Sequence, residues 1–311
     1  MTRLTILIPC VGDPVAFEDT LASVLQNRPG NSRVIVALDG SYDDPYELSG
    51  EVDFLEYPGR SDVIALVNAT LSDVESEFVH VLQCGIEVHE GWCDAALECF
   101  DEPDVAAVAP LWKESGAHAR YVFGETWTSG GRTRRVTRRR PRLRTRDTIL
   151  TPTLAAGFFR REWLETTEGW CENVPTQLAA VATGLVWREL GGRAVVAVDS
   201  RVKGTWSPVR AGSLALGRAS EHLRRRHREQ MTAGRMRRLA SRLREALGES
   251  SWARRLGHGL GQCLGRLDRG IERRYDAYLE EVRHRQPSLE KGGKAGVHVE
   301  DVEPVPLRRA A

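Results

Sequence analysis

Over the first 110 residues, short apolar runs alternate with stretches whose apolar residues recur at helical spacing. Leu4–Pro9 is an apolar run closed by a proline and predicts a buried strand. Phe17, Leu21, Val24 and Leu25 then predict a helix over Ala16–Gln26. Val34–Leu38 is a second strand, stopped by Asp39-Gly40-Ser41, and Asp53–Tyr57 a third. Val63, Ile64, Leu66, Val67 and Leu71 predict a helix over Ser61–Leu71. Phe78–Leu82 reads as a strand, Gly91–Phe100 as a helix and Val105–Pro110 as a fifth strand. Strands and helices alternating at this pitch predict an α/β fold, a mostly parallel sheet flanked by helices. Ligands of such sheets sit outside the carboxyl ends of the strands. Here those ends are Pro9–Asp13, Asp39–Asp44 and Gln83–Glu87.

The pattern changes after residue 110. Arg132–Arg146 holds nine arginines, too much charge to desolvate unpaired, so the stretch 111–150 predicts a solvated loop or an extended β-ribbon arm. Ala155–Trp163 and Thr183–Leu190 return to apolar patterning, and Ala194–Val198 predicts a further strand. From about Gly212 the chain turns helical and basic. Leu239, Leu243 and Leu247 repeat at i+4, and Trp252, Leu256, Leu260, Leu264, Leu267, Ile271, Tyr275 and Leu279 form a longer apolar stripe. Gly257, Gly261 and Gly265 lie one turn apart, a spacing that permits close helix–helix approach. Two arrangements fit: a helical hairpin packed on the α/β domain, or a basic face lying on anionic lipid. From Pro287 onward the composition predicts a disordered tail. The expected organisation is an α/β domain over 1–208, a basic helical extension over 209–286 and the tail over 287–311.

Composition adds an asymmetry to this outline. The 311 residues carry a net charge of only +1. Residues 1–100 nevertheless hold 18 acidic and 4 basic side chains, whereas 211–286 holds 18 arginines and 9 acids. An acidic block and a basic block invite docking, or a basic surface that faces an anion. Apolar residues at 41% suffice for a large core, and no run is long enough to span a bilayer. The N-terminal apolar run is too short for a signal peptide. Cys10, Cys84, Cys93, Cys99, Cys171 and Cys263 show neither C-x-x-C pairs nor zinc-ligand spacing, and read as reduced thiols of a cytoplasmic protein. The arginines lack interleaved aromatics, which argues against nucleic acid.

Several stretches, in order, resemble family 2 glycosyltransferases. They are Leu4–Pro9 with Phe17–Gln26; Asp39-Gly40-Ser41-Tyr42-Asp43-Asp44, similar to a D-D-G-S-x-D-D turn; Asn68; Glu77–Leu82; and Gly91-Trp92. Gly157–Arg161, Gly169-Trp170-Cys171-Glu172, and Arg188 with Gly192 complete the set, over roughly residues 3–205. The resemblance implies a GT-A fold and inverting transfer of a sugar from a nucleotide-sugar donor to a glycan or lipid-linked acceptor. It implies donor contacts at Pro9, Asp13, Asp39, Ser41, Asn68, Gln83, Gly85 and Arg188, with Asp39 facing the nucleotide base and ribose.

Two departures bear on the chemistry. Where the family strand ends L-D-x-D and holds a divalent metal, this chain reads Leu82-Gln83-Cys84-Gly85. A hard cation prefers anionic oxygen ligands, so no metal cofactor is expected. Where the family has E-D-x-D, one aspartate being the general base, this chain reads Val181-Ala182-Thr183-Gly184-Leu185. No side chain there accepts a proton near neutral pH. Glu172 and Glu87 are the candidate substitutes for the base, and the Arg132–Arg146 run a candidate partner for the diphosphate. Three readings stand: a divergent glycosyltransferase, an inactive scaffold that binds a nucleotide sugar, glycan or partner enzyme, and a scaffold held peripherally on the inner face of a membrane by its basic helices.

Overall fold

The computed structural model describes residues 3–11, 14–40, 42, 44–116, 119–128, 132–140, 148–206, 212–230, 240, 243, 247, 252–265 and 269–285. The first half alternates strand and helix: β1 (Leu4–Cys10), α1 (Pro14–Asn27), β2 (Ser32–Leu38), β3 (Asp53–Glu56), α2 (Val63–Thr70) and β4 (Phe78–Leu82). There follow β5 (Ile86–Val88), α3 (Asp94–Leu97), β6 (Val105–Glu114), β7 (Tyr121–Trp127), β8 (Thr133–Arg138), β9 (Thr148–Ile149) and β10 (Ala156–Arg160). The chain closes with α4 (Arg161–Thr166), α5 (Thr176–Glu189), β11 (Arg193–Gly204), α6 (Ser213–Arg226), α7 (Trp252–Leu264) and α8 (Arg269–His284).

The described strands form one sheet whose main path runs β3-β2-β1-β4-β10-β6-β11-β5. β3, β2, β1 and β4 are mutually parallel, and β6 runs parallel to β11. β10 lies antiparallel between β4 and β6 and joins the two parallel blocks. The strands read as continuous apolar runs because both faces of the sheet are covered. All five residues of β4 are buried, His80 included. Its Nδ1 lies 3.0 Å from the carbonyl oxygen of Gly157, and its ring stacks on Phe158 at 3.8 Å. Burial pushes this imidazole down to about 3, so it sits neutral in the core.

One core face gathers α1 and α3 against β1, β2 and β4 through Phe17, Leu21 and Trp92. The other gathers α2 and α5 together with the C-terminal helices. α5 is buried without interruption from Leu178 to Trp187, as a helix apolar on all sides must be.

The arginine-rich stretch is a β-ribbon as far as it is described: β8 pairs antiparallel with β7, and β7 with β6. Residues 141–147, which hold the rest of the arginine run, lie outside the described residues, as does the stretch 286–311 expected as a tail.

The long apolar stripe anticipated from Trp252 to Leu279 is divided by the structure. Tyr275 and Leu279 on α8 enter the main core, together with Ala219 and Leu223 of α6. His227, just past α6, ties the helices to α5: its Nδ1 meets Glu189 at 2.7 Å and its Nε2 meets the Tyr275 hydroxyl at 2.8 Å. Trp252, Leu256, Leu260 and Leu264 on α7 instead point outward, between 40% and 74% exposed. What α7 turns inward is His258, Gly261 and Gln262. A Cβ on Gly261 would lie 2.2 Å from the carbonyl oxygen of Leu214, and one on Gly217 of α6 would lie 2.2 Å from that of His258. Backbone therefore meets backbone at Gly217 and Gly261 on the α6–α7 seam, and the leucine side of α7 is exposed.

Candidate functional site

β2, β1 and β4 are neighbours, so their carboxyl ends form one edge. Cys10 pairs with Leu38, which puts Asp39 one residue beyond the end of that ladder, exposed. The β1–β4 register pairs Leu7 with Val81; carried three residues on, it sets Cys10 beside Cys84. Cys84 Sγ lies 3.5 Å from the Pro9 carbonyl oxygen. Hydrogen bonding from Cys84 holds the Cys10 thiol below its ordinary value, while the same contact raises that of Cys84. Both cysteines are half-buried. A thiol pair thus occupies the middle of this edge.

Gln83 and Gly85 flank it. Gln83 is buried, its backbone N–H donating to the Ala155 carbonyl at 2.9 Å, and its side-chain Nε2 has no hydrogen-bond partner among the described residues. Gly85 is a knot of backbone contacts. Its N–H is directed at both the Ala16 carbonyl at 3.0 Å and the Thr20 hydroxyl at 2.9 Å, and its carbonyl accepts from Thr205 N–H at 3.0 Å. Its φ is +87°, and a Cβ there would sit 2.6 Å from the Thr205 carbonyl oxygen. Side chains rarely adopt that φ, and this contact is with backbone that cannot swing away. The second carboxylate of an L-D-x-D ending therefore has no room: its place is taken by the junction of β4, α1 and the end of β11.

The structure brings Pro9, Gln83 and Gly85 together at this edge, with Asp39 at the adjoining strand end. Asp13 and Ser41 lie outside the described residues. Asp44, in the same turn as Asp39, is engaged locally: its carboxylate accepts from Leu48 and Ser49 N–H, both at 3.0 Å.

Asn68 and Glu172 form a separate group. Asn68 Oδ1 accepts from Trp170 N–H at 2.8 Å, and its Nδ2 donates to the Trp170 carbonyl at 2.8 Å and to Glu172 Oε1 at 2.9 Å. The amide pins the 169–172 turn onto α2. Glu172 lines a cleft of about 250 Å³ with Asp62, Ala65 and Thr176, and a second of about 430 Å³ with Asn68, Arg274 and Glu281. Glu87 is on β5, where it faces Lys203 of β11 and pairs with it at 3.0 Å. Arg188 is exposed in the last turn of α5, where a cation complements the helix carbonyls.

The α5 segment Val181–Leu185 is fully buried. Thr183 accepts from Cys171 N–H at 3.0 Å, and a Cβ on Gly184 would lie 2.8 Å from the Leu150 carbonyl oxygen. The segment that packs on Gly184, Leu150-Thr151, also meets Glu125, a residue without a sequence signal. Glu125 of β7 donates its N–H to Thr151 and accepts from Leu150 N–H at 2.9 Å. Burial pushes its carboxyl up to about 7, against the opposing pull of Arg135. In a β-ribbon dense with arginines, one acid carries no periodic or motif signal.

No family model matches the chain, and no curated protein sequence matches it. Among solved structures it is similar to GalNAc-T7 determined with UDP, GalNAc and Mn2+, at 13% identity and a TM-score of 0.56 over 82% of this chain. The match spans 56% of that structure's chain, little more than half its length. It is also similar to the mannosyltransferase PcManGT from Pyrobaculum calidifontis in complex with GDP-Man and Mn2+, at 14% identity and a TM-score of 0.48, over 91% of this chain and 86% of that one. The likeness shows the fold, an α/β arrangement of the GT-A type.

One expectation is corrected by this likeness. The loss of L-D-x-D led us to expect no metal cofactor, yet a structure with this fold, that of GalNAc-T7, was determined with Mn2+. A missing motif in the sequence does not by itself remove a divalent cation from the chemistry of the fold. The donor set at this edge does not fit such an ion well: it offers an amide, two thiols and a glycine, and no group of three His, Cys, Asp or Glu able to hold a metal occurs among the described residues.

Proposed function

We propose that this chain is a divergent, family 2-like glycosyltransferase scaffold that binds a nucleotide sugar across the carboxyl ends of β1, β2 and β4. The observation that carries the reading is the conjunction of the GT-A fold with an exposed carboxylate, Asp39, at the end of the strand next to β1. A carboxylate there accepts hydrogen bonds from ribose hydroxyls or base N–H groups. The neighbouring Gln83 amide, unpartnered at the same edge, is a donor suited to an anionic or carbonyl oxygen.

A second reading, donor binding without transfer, is favoured by one observation. The α5 segment that would carry the base is packed inside the protein and contains no acid, and Glu87 and Glu172 are engaged by Lys203 and Asn68. Calorimetric titration with UDP-, GDP- and dTDP-sugars in the presence of Mn2+ tests both. Micromolar binding of one donor is expected, weakened about tenfold in Asp39→Ala, the equivalent of one charge-assisted hydrogen bond. Absence of binding to every donor by protein with a cooperative unfolding transition would sink the proposal. Turnover of the bound donor, with loss in Glu172→Gln, would favour transfer over the second reading.

A further inference from the structure

The outward face of α7 stands apart from the strand-end site and rests on separate observations. Trp252 is 74% exposed, and Leu256, Leu260 and Leu264 follow at 47%, 57% and 40%. With a repeat of four residues these side chains form one continuous apolar strip, about 20 Å long at 1.5 Å per residue. Leu214 of α6, whose carbonyl touches the Gly261 position, is also exposed at 38%. Upstream, Leu243 and Leu247 are helical and more than half exposed.

In water a helix with such a strip normally turns it inward. Here the buried side carries His258, Gly261 and Gln262 instead. Gly261 of α7, Gly265 just past its end and Gly217 of α6 bring the two backbones into contact, while Trp252, Leu256, Leu260 and Leu264 lie outside. Small residues at the seam and leucines on the periphery are how helices pair when their surroundings are as apolar as leucine.

The charges around the strip indicate what those surroundings are. α7 itself contains Arg254 and Arg255 and no acidic residue. From 231 to 266 the sequence has eight arginines and two glutamates. No helix among the described residues is long and apolar enough to cross a membrane. A short helix with one apolar face, arginines beside it and a tryptophan at its end matches a segment that lies in the plane of a bilayer surface. A second copy of this chain is a poorer occupant. Pairing two copies through this face would bring together two segments of the same net positive charge.

We propose that α7 docks this protein on an anionic lipid bilayer, with Trp252, Leu256, Leu260 and Leu264 entering the headgroup–acyl boundary and the net positive charge of the segment 231–266 favouring anionic headgroups. The proposal is independent of the nucleotide-sugar reading, since no residue of the strand-end site takes part.

The test is flotation of the full chain with vesicles of phosphatidylcholine alone and with about a third phosphatidylglycerol, beside measurement of its molar mass without lipid. The expected result is a monomer that floats with the anionic vesicles and about tenfold less with the neutral ones. The double variant Leu256→Asp, Leu260→Asp should lose flotation about tenfold with its circular dichroism unchanged, because both side chains are already outside. Trp252→Ala should weaken flotation in the same direction. A dimer that ignores vesicles, with the double variant monomeric, would overturn the proposal in favour of self-association. A monomer that ignores vesicles, or a folded double variant that floats like the parent, would overturn it outright.

Discussion

Two places in this molecule are built on glycine, and they use it to opposite ends. At the β4 terminus, Gly85 and Gly204 let three elements converge, and a Cβ on Gly204 would lie 2.0 Å from the Gly85 carbonyl oxygen. The space that a side chain would need is consumed by the fold, and the position is closed to carboxylate chemistry. Along α6 and α7, Gly217 and Gly261 also put backbone on backbone, yet the consequence is a surface, because Trp252, Leu256, Leu260 and Leu264 lie on the outside. Close approach at a loop with positive φ removes function from a position. The same approach along a straight helix moves it to the opposite face.

The comparison is tested most severely at Gly85. Gly85→Asp would restore the acidic letter of the family motif, but it places a Cβ against a backbone carbonyl at a φ of +87°. We expect a loss of about 3 kcal/mol or more, the sum of the left-handed penalty and an overpacked contact. The urea midpoint measures it. A variant as stable as the parent would mean that this junction yields, and that the missing carboxylate is a matter of sequence alone. Gly261→Val is the counterpart on the helix seam. It should cost about 2 kcal/mol. That loss should appear first as faster amide hydrogen exchange in α6 and α7, with β1 and β4 still protected.

The α/β half was legible because its signal is local. Runs such as Val34–Leu38 and Phe78–Leu82 are bounded by turn residues, and their burial on both faces is written in unbroken apolar composition. β5 escaped notice, since three residues around Glu87 have no period to read, and β6 and β11 extend past the runs first assigned to them. The direction of the α7 stripe was not legible either. Apolar spacing identifies a face but not its partner, and the glycine spacing on the adjoining side marked the other candidate seam with equal force. At the site, the loss of L-D-x-D was visible in the letters, whereas its cause, the Gly85–Thr205 contact, joins residues 120 positions apart in the chain. Glu125 depends on the same kind of distant contact, with Thr151 and Arg135.

Glu125 sharpens the comparison by supplying a half-buried acid beside another closely packed glycine, Gly124. Its carboxyl, pushed up to about 7 from 4.5, prefers the protonated form in the fold. A group whose folded value is raised contributes fully below its unfolded value and loses that contribution as pH rises through the folded one. The parent should therefore lose stability between about pH 4.5 and 7 relative to Glu125→Gln, which holds a neutral side chain throughout. At pH 8 the variant should be the more stable by about 1–2 kcal/mol, the full shift being discounted for the partial exposure of the side chain. Denaturant melts of both proteins at pH 5 and pH 8 check this. Parallel curves at the two values would show that Arg135 keeps the carboxylate charged.

The smallest expected effect separates the two sides of α7 most cleanly. Leu260→Ser removes an apolar side chain that is 57% exposed, one residue from Gly261. If the glycine side alone holds α7 to α6, this substitution should change stability by less than about 0.5 kcal/mol, the range of surface changes that touch nothing buried. Adjacent positions, one inward and one outward, would then differ about fourfold or more in their effect on the same helix. A loss approaching that of Gly261→Val would show that the leucine face is already covered within the chain. The glycine seam would then be one of two interfaces that hold the helix, and the contrast with Gly85 would no longer hold, because both glycine sites would serve packing alone.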